Sequence, residues 1–388
     1  MLKGHNIIGF ENKSSGDKVF QSFSTIKGSC LPESFHIATE DEINLAITKA
    51  QKAFEVYRNT SFVQRAVFLE TIAEQIIALG DVLIERAHLE TALPLARLNG
   101  ERDRTTNQLK LFANLLREGS WADAIIDTAL PDRKPLPRSD LRSILQPIGP
   151  VAVFAASNFP FAFSTAGSDT ASALAAGCPV IVKAHSSHAG TNEIMATAIS
   201  RAAAKTNMPD GVFSSLNGEG AVLGQRLAED PAIKAIGFTG SYRAGMSLFN
   251  TVTQKRKEPI PLYAEMSSIN PVVLLPATLD SKPAELAATL AGSITLGVGQ
   301  FCTNPGLIFT IKSSSTNSFI ESLSTALSNV SPSTMLNKAI CTSYYKDRTR
   351  VLQTKGVNAL YTGGDLLREY KGSPALLSIA ASDFMEQL

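Results

Sequence analysis

Gly299-Gln-Phe-Cys302-Thr-Asn-Pro-Gly306 sets one thiol in a loop of Gly, Gln, Thr, Asn and Pro. A cysteine that serves only packing is usually wrapped in Val, Leu and Ile and kept inert. The apolar run 284–298 leads into this loop and the strand-like run 307–311 leads out of it. The thiol therefore falls at a helix-to-strand junction, where backbone N–H groups can face a reacting oxygen. A buried free cysteine in a turn would fit the same stretch. Three stretches upstream bear on which reading holds.

The first, Leu262-Tyr-Ala-Glu265-Met-Ser-Ser-Ile-Asn-Pro271, puts a carboxylate at the end of a strand. Open α/β enzymes display functional groups there, although a lone Glu is ordinarily just a surface residue. The second, Ala156-Ser-Asn158-Phe-Pro-Phe161, follows a buried strand directly. Its Asn158 can aim an amide N–H at a developing oxyanion, or can simply cap a turn. The third, Phe238-Thr-Gly240-Ser-Tyr-Arg-Ala-Gly245, runs from strand into helix. Gly240 lets backbone approach a cofactor and the helix start offers free N–H groups. It is not a GxGxxG fingerprint, and a glycine turn of this kind is weak evidence alone.

The surrounding pattern supports an α/β enzyme. Residues 1–38 read as extended and loop structure. Thr39 reads as the cap of a helix that opens Glu40-Asp-Glu42 and carries Ile43, Ala46, Ile47, Ala50 and Phe54 at helical spacing. Further helices are expected over 62–79, 81–91 and 98–118. Residues 120–147, marked by Pro131, Pro135 and Pro137, read as a hairpin-like arm, either paired with a neighbouring subunit or an ordinary surface hairpin. From 148 onward, strands at 151–155, 180–183, 212–216 and 235–238 alternate with helices at 164–176, 191–205 and 221–228. That rhythm implies a mostly parallel sheet covered on both faces. Strands at 262–265, 272–275, 307–311 and 359–362, with helices at 319–327 and 346–353, suggest a second α/β domain beginning near 256.

Composition narrows the function classes. The 388 residues are 44% apolar and 18% charged with a net charge of +1, which suits a globular protein and gives no basic field for nucleic acid. No apolar run has membrane length and the N-terminus has no signal-peptide core; four scattered cysteines make a reducing, cytoplasmic setting the simplest account. Cys30, Cys178, Cys302 and Cys341 lie far apart, as free thiols without metal spacing. His185 and His188 are three apart but have no nearby Cys or carboxylate ligand in sequence, so no metal site is expected.

Taken together, the phrases Asn158-Phe-Pro, Val182-Lys183, Phe238-Thr-Gly-Ser241, Glu265-Met-Ser-Ser and Gly299-Gln-Phe-Cys302-Thr-Asn-Pro-Gly resemble the aldehyde dehydrogenase superfamily, in its order and spacing, from about residue 20 to the last residue. Within it, the stretches 157–167, Lys183-Ala-His-Ser-Ser-His and Ala264-Glu-Met-Ser-Ser-Ile-Asn-Pro look like the 2-oxoglutarate semialdehyde (2,5-dioxovalerate) dehydrogenase branch. A bacterial NADP-dependent fatty aldehyde dehydrogenase is similar in the same phrases.

The resemblance implies a Rossmann-type NAD(P)-binding domain over 1–119 and 148–255, a β-hairpin oligomerisation arm over 120–147 and an α/β catalytic domain over 256–388. It implies oxidation of an aldehyde to a carboxylic acid, with Cys302 as nucleophile, Asn158 as oxyanion donor and Glu265 as general base. Lys183, Ser186, Phe238, Thr239, Gly240, Ser241, Gly245 and Glu265 would line the cofactor site, Lys183 also counting with the catalytic set, and a homo-oligomer is expected. Phe159 and Phe161 would line the substrate entrance. Arg102 or Arg104 could meet a substrate carboxylate, but both read as solvated helix residues. Ser186 stands where many NAD-preferring members carry Glu, which leans toward NADP, or toward both cofactors, while Glu219 argues the other way. Against the family's usual length the chain is short at its C-terminus, so an incomplete catalytic domain and impaired turnover are expected.

Overall fold

Val151–Phe154, Val180–Lys183 and Phe213–Leu216 are buried along their whole length. In the computed structural model, which describes residues 2–387, they lie adjacent in a seven-stranded sheet. Ala235–Thr239 pairs in parallel with Val151–Phe154, and Leu262–Glu265 pairs in parallel outside it. Asn6–Ile8 and Glu11–Lys13 close the other edge antiparallel. The chain steps outward twice in one direction from Val151–Phe154, then returns and steps outward in the other. The strand order therefore reverses between Val151–Phe154 and Ala235–Thr239. A reversal of this kind opens a crevice at the carboxyl ends of the two strands.

Helices flank this sheet. Glu40–Tyr57 starts with a reciprocal capping box between Thr39 and Glu42. Leu95–Glu118 buries a stripe of Leu98, Glu101, Thr105, Leu109, Ala113 and Leu116, of which Glu101 is the one charge. The helix expected over 164–176 begins only at Ser168. Residues 159–167 fold back instead, because Glu101 Oε1 accepts the N–H groups of Phe161 (2.8 Å) and Ala162 (3.0 Å) and Phe163 O accepts from Ala156 N at 2.8 Å. Gly167 permits the fold-back, since a Cβ there would sit 2.4 Å from Ala162 O. The arm is a hairpin of Ile125–Asp127 with Leu141–Ser143, every strand residue exposed.

Two compact units result. The first takes in residues up to Ser22, Pro32–Ala87 and Leu95–Met266. The second comprises Phe23–Leu31, His88–Pro94 and the described residues from Ser267 onward. Although the sequence changes character near 256, Leu262–Glu265 is an edge strand of the first unit's sheet. The second unit pairs Pro271–Leu274 with Leu307–Thr310 in parallel and packs helices Pro283–Thr295 and Ser314–Ser328 around Leu274, Leu279, Ala287, Ala291, Phe319, Leu323 and Leu327. The helix expected over 346–353 begins earlier, at Lys338, where Asn337 Oδ1 accepts from Ile340 N at 2.9 Å. Thr25 Oγ1 donates to Met335 O at 2.7 Å, which ties the early segment into this unit.

Candidate active site

The carboxyl edge of the parallel sheet collects most of the singled-out residues. Val151–Phe154 runs out toward Asn158, Val180–Lys183 ends on Lys183, Ala235–Thr239 ends at Gly240, and Leu262–Glu265 ends on Glu265. The loops bearing Asn158 and Gly240 flank the point where strand order reverses.

The Asn158 loop is held from two sides. Arg97 Nη2 donates to Asn158 O at 2.9 Å and Arg97 Nη1 lies 3.1 Å from Glu101 Oε2. Burial raises the Glu101 carboxyl, against the pull of Arg97, and burial likewise lowers Arg97. Loss of one member of such a buried pair generally costs about 3–5 kcal/mol. From the other side, Asn192 Oδ1 accepts from Ser164 Oγ (3.0 Å) and Thr165 Oγ1 (2.9 Å), while its Nδ2 donates to His185 O at 2.8 Å. One amide thus joins the Asn158 loop to the loop after Lys183.

Lys183 is 8% exposed, and burial pushes its ammonium down to about 8. Ser186, three residues on, is exposed at the start of a short turn. Ser241 caps the helix Tyr242–Asn250, its Oγ accepting from Ala244 N at 3.3 Å. An amine, a hydroxyl and a helix N-terminus at one sheet edge suit the ribose hydroxyls and phosphates of a nucleotide.

The glycines and aromatics sort differently from their sequence reading. A Cβ on Gly240 would lie 2.7 Å from the Phe238 ring, and one on Gly245 would lie 2.9 Å from the Met266 side chain. Both positions are small because side chains of this unit pack against them. Phe238 is buried, its ring centroid 6.0 Å from that of Phe154, so its side chain belongs to the core and only its backbone faces the edge. Phe161 is fully buried, because its N–H is drawn to Glu101. It lines no entrance, whereas Phe159 is half-buried beside Arg97 and Arg104.

Asp169 is a neighbour of Glu265 that sequence reading passed over. It lies across Gly237, where a Cβ would stand 3.0 Å from the Asp169 Cβ. Burial, and then the Glu265 charge, raise its pKa. In sequence it reads as an acid favoured at a helix start. Glu101 was equally hidden as an i,i+4 partner of Arg97, although its place on the apolar stripe was a usable signal.

Cys302 belongs to the second unit and its side chain is exposed. Its carbonyl accepts from Asn270 Nδ2 at 2.6 Å and from Ser268 Oγ. Asn304 Nδ2 reaches Ser293 O, Ile294 O and Leu296 O, each at 2.9 Å, and so fastens the loop to the preceding helix. That helix stops at Thr295 because Gly297 and Val298 take left-handed backbone, with φ of 59° and 60°. Such a backbone is uncommon for a β-branched residue. Val298 packs there against the buried cluster of Met335, Cys341 and Tyr345. Among the described residues no His/Cys/Asp/Glu group could hold a metal ion, and no helix is long and apolar enough to cross a membrane.

Residues 12–343 match the Aldehyde dehydrogenase family. The chain belongs to this family. It is 47% identical over 387 residues to alpha-ketoglutaric semialdehyde dehydrogenase 2 of Azospirillum brasilense, covering 100% of this chain and 74% of that protein. It is 48% identical over 329 residues to alpha-ketoglutaric semialdehyde dehydrogenase of Acinetobacter baylyi, covering 85% of this chain but only 62% of that protein. Its fold is that of the NADP-dependent glyceraldehyde-3-phosphate dehydrogenase from Bacillus halodurans, solved with NADP, with a TM-score of 0.82 at 19% identity over 97% of this chain and 77% of that one. The NAD-dependent benzaldehyde dehydrogenase from Corynebacterium glutamicum gives a TM-score of 0.80 at 20% identity, over 98% of this chain and 80% of that one.

Proposed function

We propose that this family member oxidises 2-oxoglutarate semialdehyde to the dicarboxylic acid with NADP or NAD. The observation that carries the reading is the gathering of Asn158, Lys183, Gly240 and Glu265 at one carboxyl edge around a strand-order reversal. The substrate comes from the Azospirillum and Acinetobacter relatives. In this reading the Cys302 thiolate forms a C–S bond to the aldehyde carbon, and the oxygen that gains the charge is held by the Asn158 amide. NAD(P), which Lys183, Ser186 and the helix start at Ser241 would hold, would supply the hydride acceptor, and the acyl group would then remain on Cys302 as a thioester. Glu265 takes a proton from water, the water oxygen joins the acyl carbon, the C–S bond breaks and the acid departs. Burial, and then the Glu265 charge, hold the carboxyl of Asp169, a second acid beside the base, above its usual range. The exposed hairpin at 120–147 would pair with a second copy, and the four free thiols suit a reducing, cytoplasmic compartment.

The test is a panel of 2-oxoglutarate semialdehyde, pentanal and decanal, with NADP and NAD, followed by nicotinamide absorbance. The highest kcat/KM is expected with the semialdehyde. A higher value for decanal would replace this reading with a fatty aldehyde dehydrogenase.

Lys183 gives a pH-dependent signature. Free of nucleotide it loses its proton near pH 8, and a 2′-phosphate favours the ammonium form. NADP binding is therefore expected to weaken as pH rises through about 8, with proton uptake on binding above that pH, measured by calorimetry in buffers of differing ionisation heat. Ser186→Glu should weaken NADP more than NAD. NADP affinity that stays flat with pH, together with a strong NAD preference in the unmodified protein, would remove Lys183 and Ser186 from 2′-phosphate recognition and point to Glu219.

A further inference from the structure

We propose that Arg104 receives the distal carboxylate of the substrate and so selects an acid semialdehyde over a neutral aldehyde; this rests on the semialdehyde reading above. Arg97, Glu101 and Arg104 stand at i, i+4 and i+7 on one face of the helix Leu95–Glu118. Arg97 is committed to Glu101 and to Asn158 O. Arg104 is exposed, and among the described residues no carboxylate lies within ion-pairing distance of it.

Its guanidinium is nonetheless placed, over the Phe163 ring at 5.0 Å and the Phe159 ring at 5.7 Å. Those rings meet edge to face, 5.2 Å apart. An arginine held by two aromatic faces is more ordered than a solvated one, and its fork of N–H donors matches a carboxylate. Phe159 directly follows Asn158, the group given to the aldehyde oxygen. In a five-carbon semialdehyde the two ends are separated by four C–C bonds, a span of roughly 5 Å. Arg102 does not compete for the role, since it lies 3.3 Å from Asp103.

The experiment compares kcat/KM for 2-oxoglutarate semialdehyde with that for pentanal, in the unmodified protein, Arg104→Gln and Arg104→Lys. The ratio is expected to fall by about 10²-fold in Arg104→Gln through a higher KM for the acid substrate, and by less in Arg104→Lys. An unchanged ratio in Arg104→Gln overturns the proposal. A second measurement needs no turnover: calorimetric titration with 2-oxoglutarate in the presence of NADP. Binding that is weakened to a similar degree by Arg104→Gln supports the carboxylate role even if no aldehyde is oxidised, and then only the functional reading falls. Binding indifferent to the substitution, or absent from the unmodified protein, counts against Arg104.

Discussion

Cys302→Ser is expected to fold, to bind NADP and to show no measurable aldehyde oxidation. The loop is fixed through the Cys302 carbonyl by Ser268 and Asn270, and by the Asn304 amide. None of these bonds uses the sulfur, so the exchange leaves the scaffold alone. A serine hydroxyl holds its proton at neutral pH far more firmly than a thiol and is the poorer nucleophile without an adjacent base. Loss of at least about 10⁴-fold in kcat is expected. Iodoacetamide mapping gives an independent reading. Burial pushes the Cys178 and Cys341 thiols up and makes them slow, which leaves Cys30 as the exposed comparison. Labelling at Cys30 ahead of Cys302, or turnover in Cys302→Ser above about a tenth of the unmodified rate, would remove Cys302 as nucleophile.

Glu265→Gln is expected to separate the two halves of the reaction. The side chain sits exposed on an edge strand, and Gln keeps its shape, so folding and cofactor binding survive. Acylation then yields one turnover of reduced cofactor, while hydrolysis of the thioester slows by about 10²–10⁴-fold. The expected trace is a burst followed by almost no steady state. If the burst disappears with the steady state, Glu265 acts earlier, in forming the thiolate. The same exchange removes the charge that helps to raise Asp169, whose pKa should then fall, a change open to carbonyl-stretch infrared spectroscopy.

The parallel sheet was legible because its strands are short apolar runs bounded by Gly and Pro, and because helices of ordinary length separate them. The positions of four residues relative to those runs were legible too: Lys183 and Glu265 close their strands, Gly240 directly follows one and Asn158 stands four residues past another. Glu101 was not, since an acid four residues after an arginine reads as a solvated pair until a loop some sixty residues away is known to need its oxygens. Phe161 was misplaced for the same reason: the fold-back that buries it depends on Glu101. The membership of Phe23–Leu31 and His88–Pro94 in the second unit rests on contacts between distant segments, such as Thr25 with Met335, and no local pattern announces those. Arg104 shows the limit of helix periodicity, which reports which face a residue occupies but not that two phenylalanine rings from another segment will lie against it.

Val298 has a consequence for how this chain can vary over generations. Its left-handed backbone costs roughly 1–2 kcal/mol relative to right-handed helix, and the packing of its methyl groups against Met335, Cys341 and Tyr345 opposes that cost. The path of the chain into Gly299–Gly306 is therefore kept by side chains that belong to a separate cluster. Inheritance would treat those residues as if they belonged to the reactive loop. A change at Met335 or Tyr345 that leaves the protein soluble could let Val298 relax, and its first symptom would be a slower thiol rather than a lost fold.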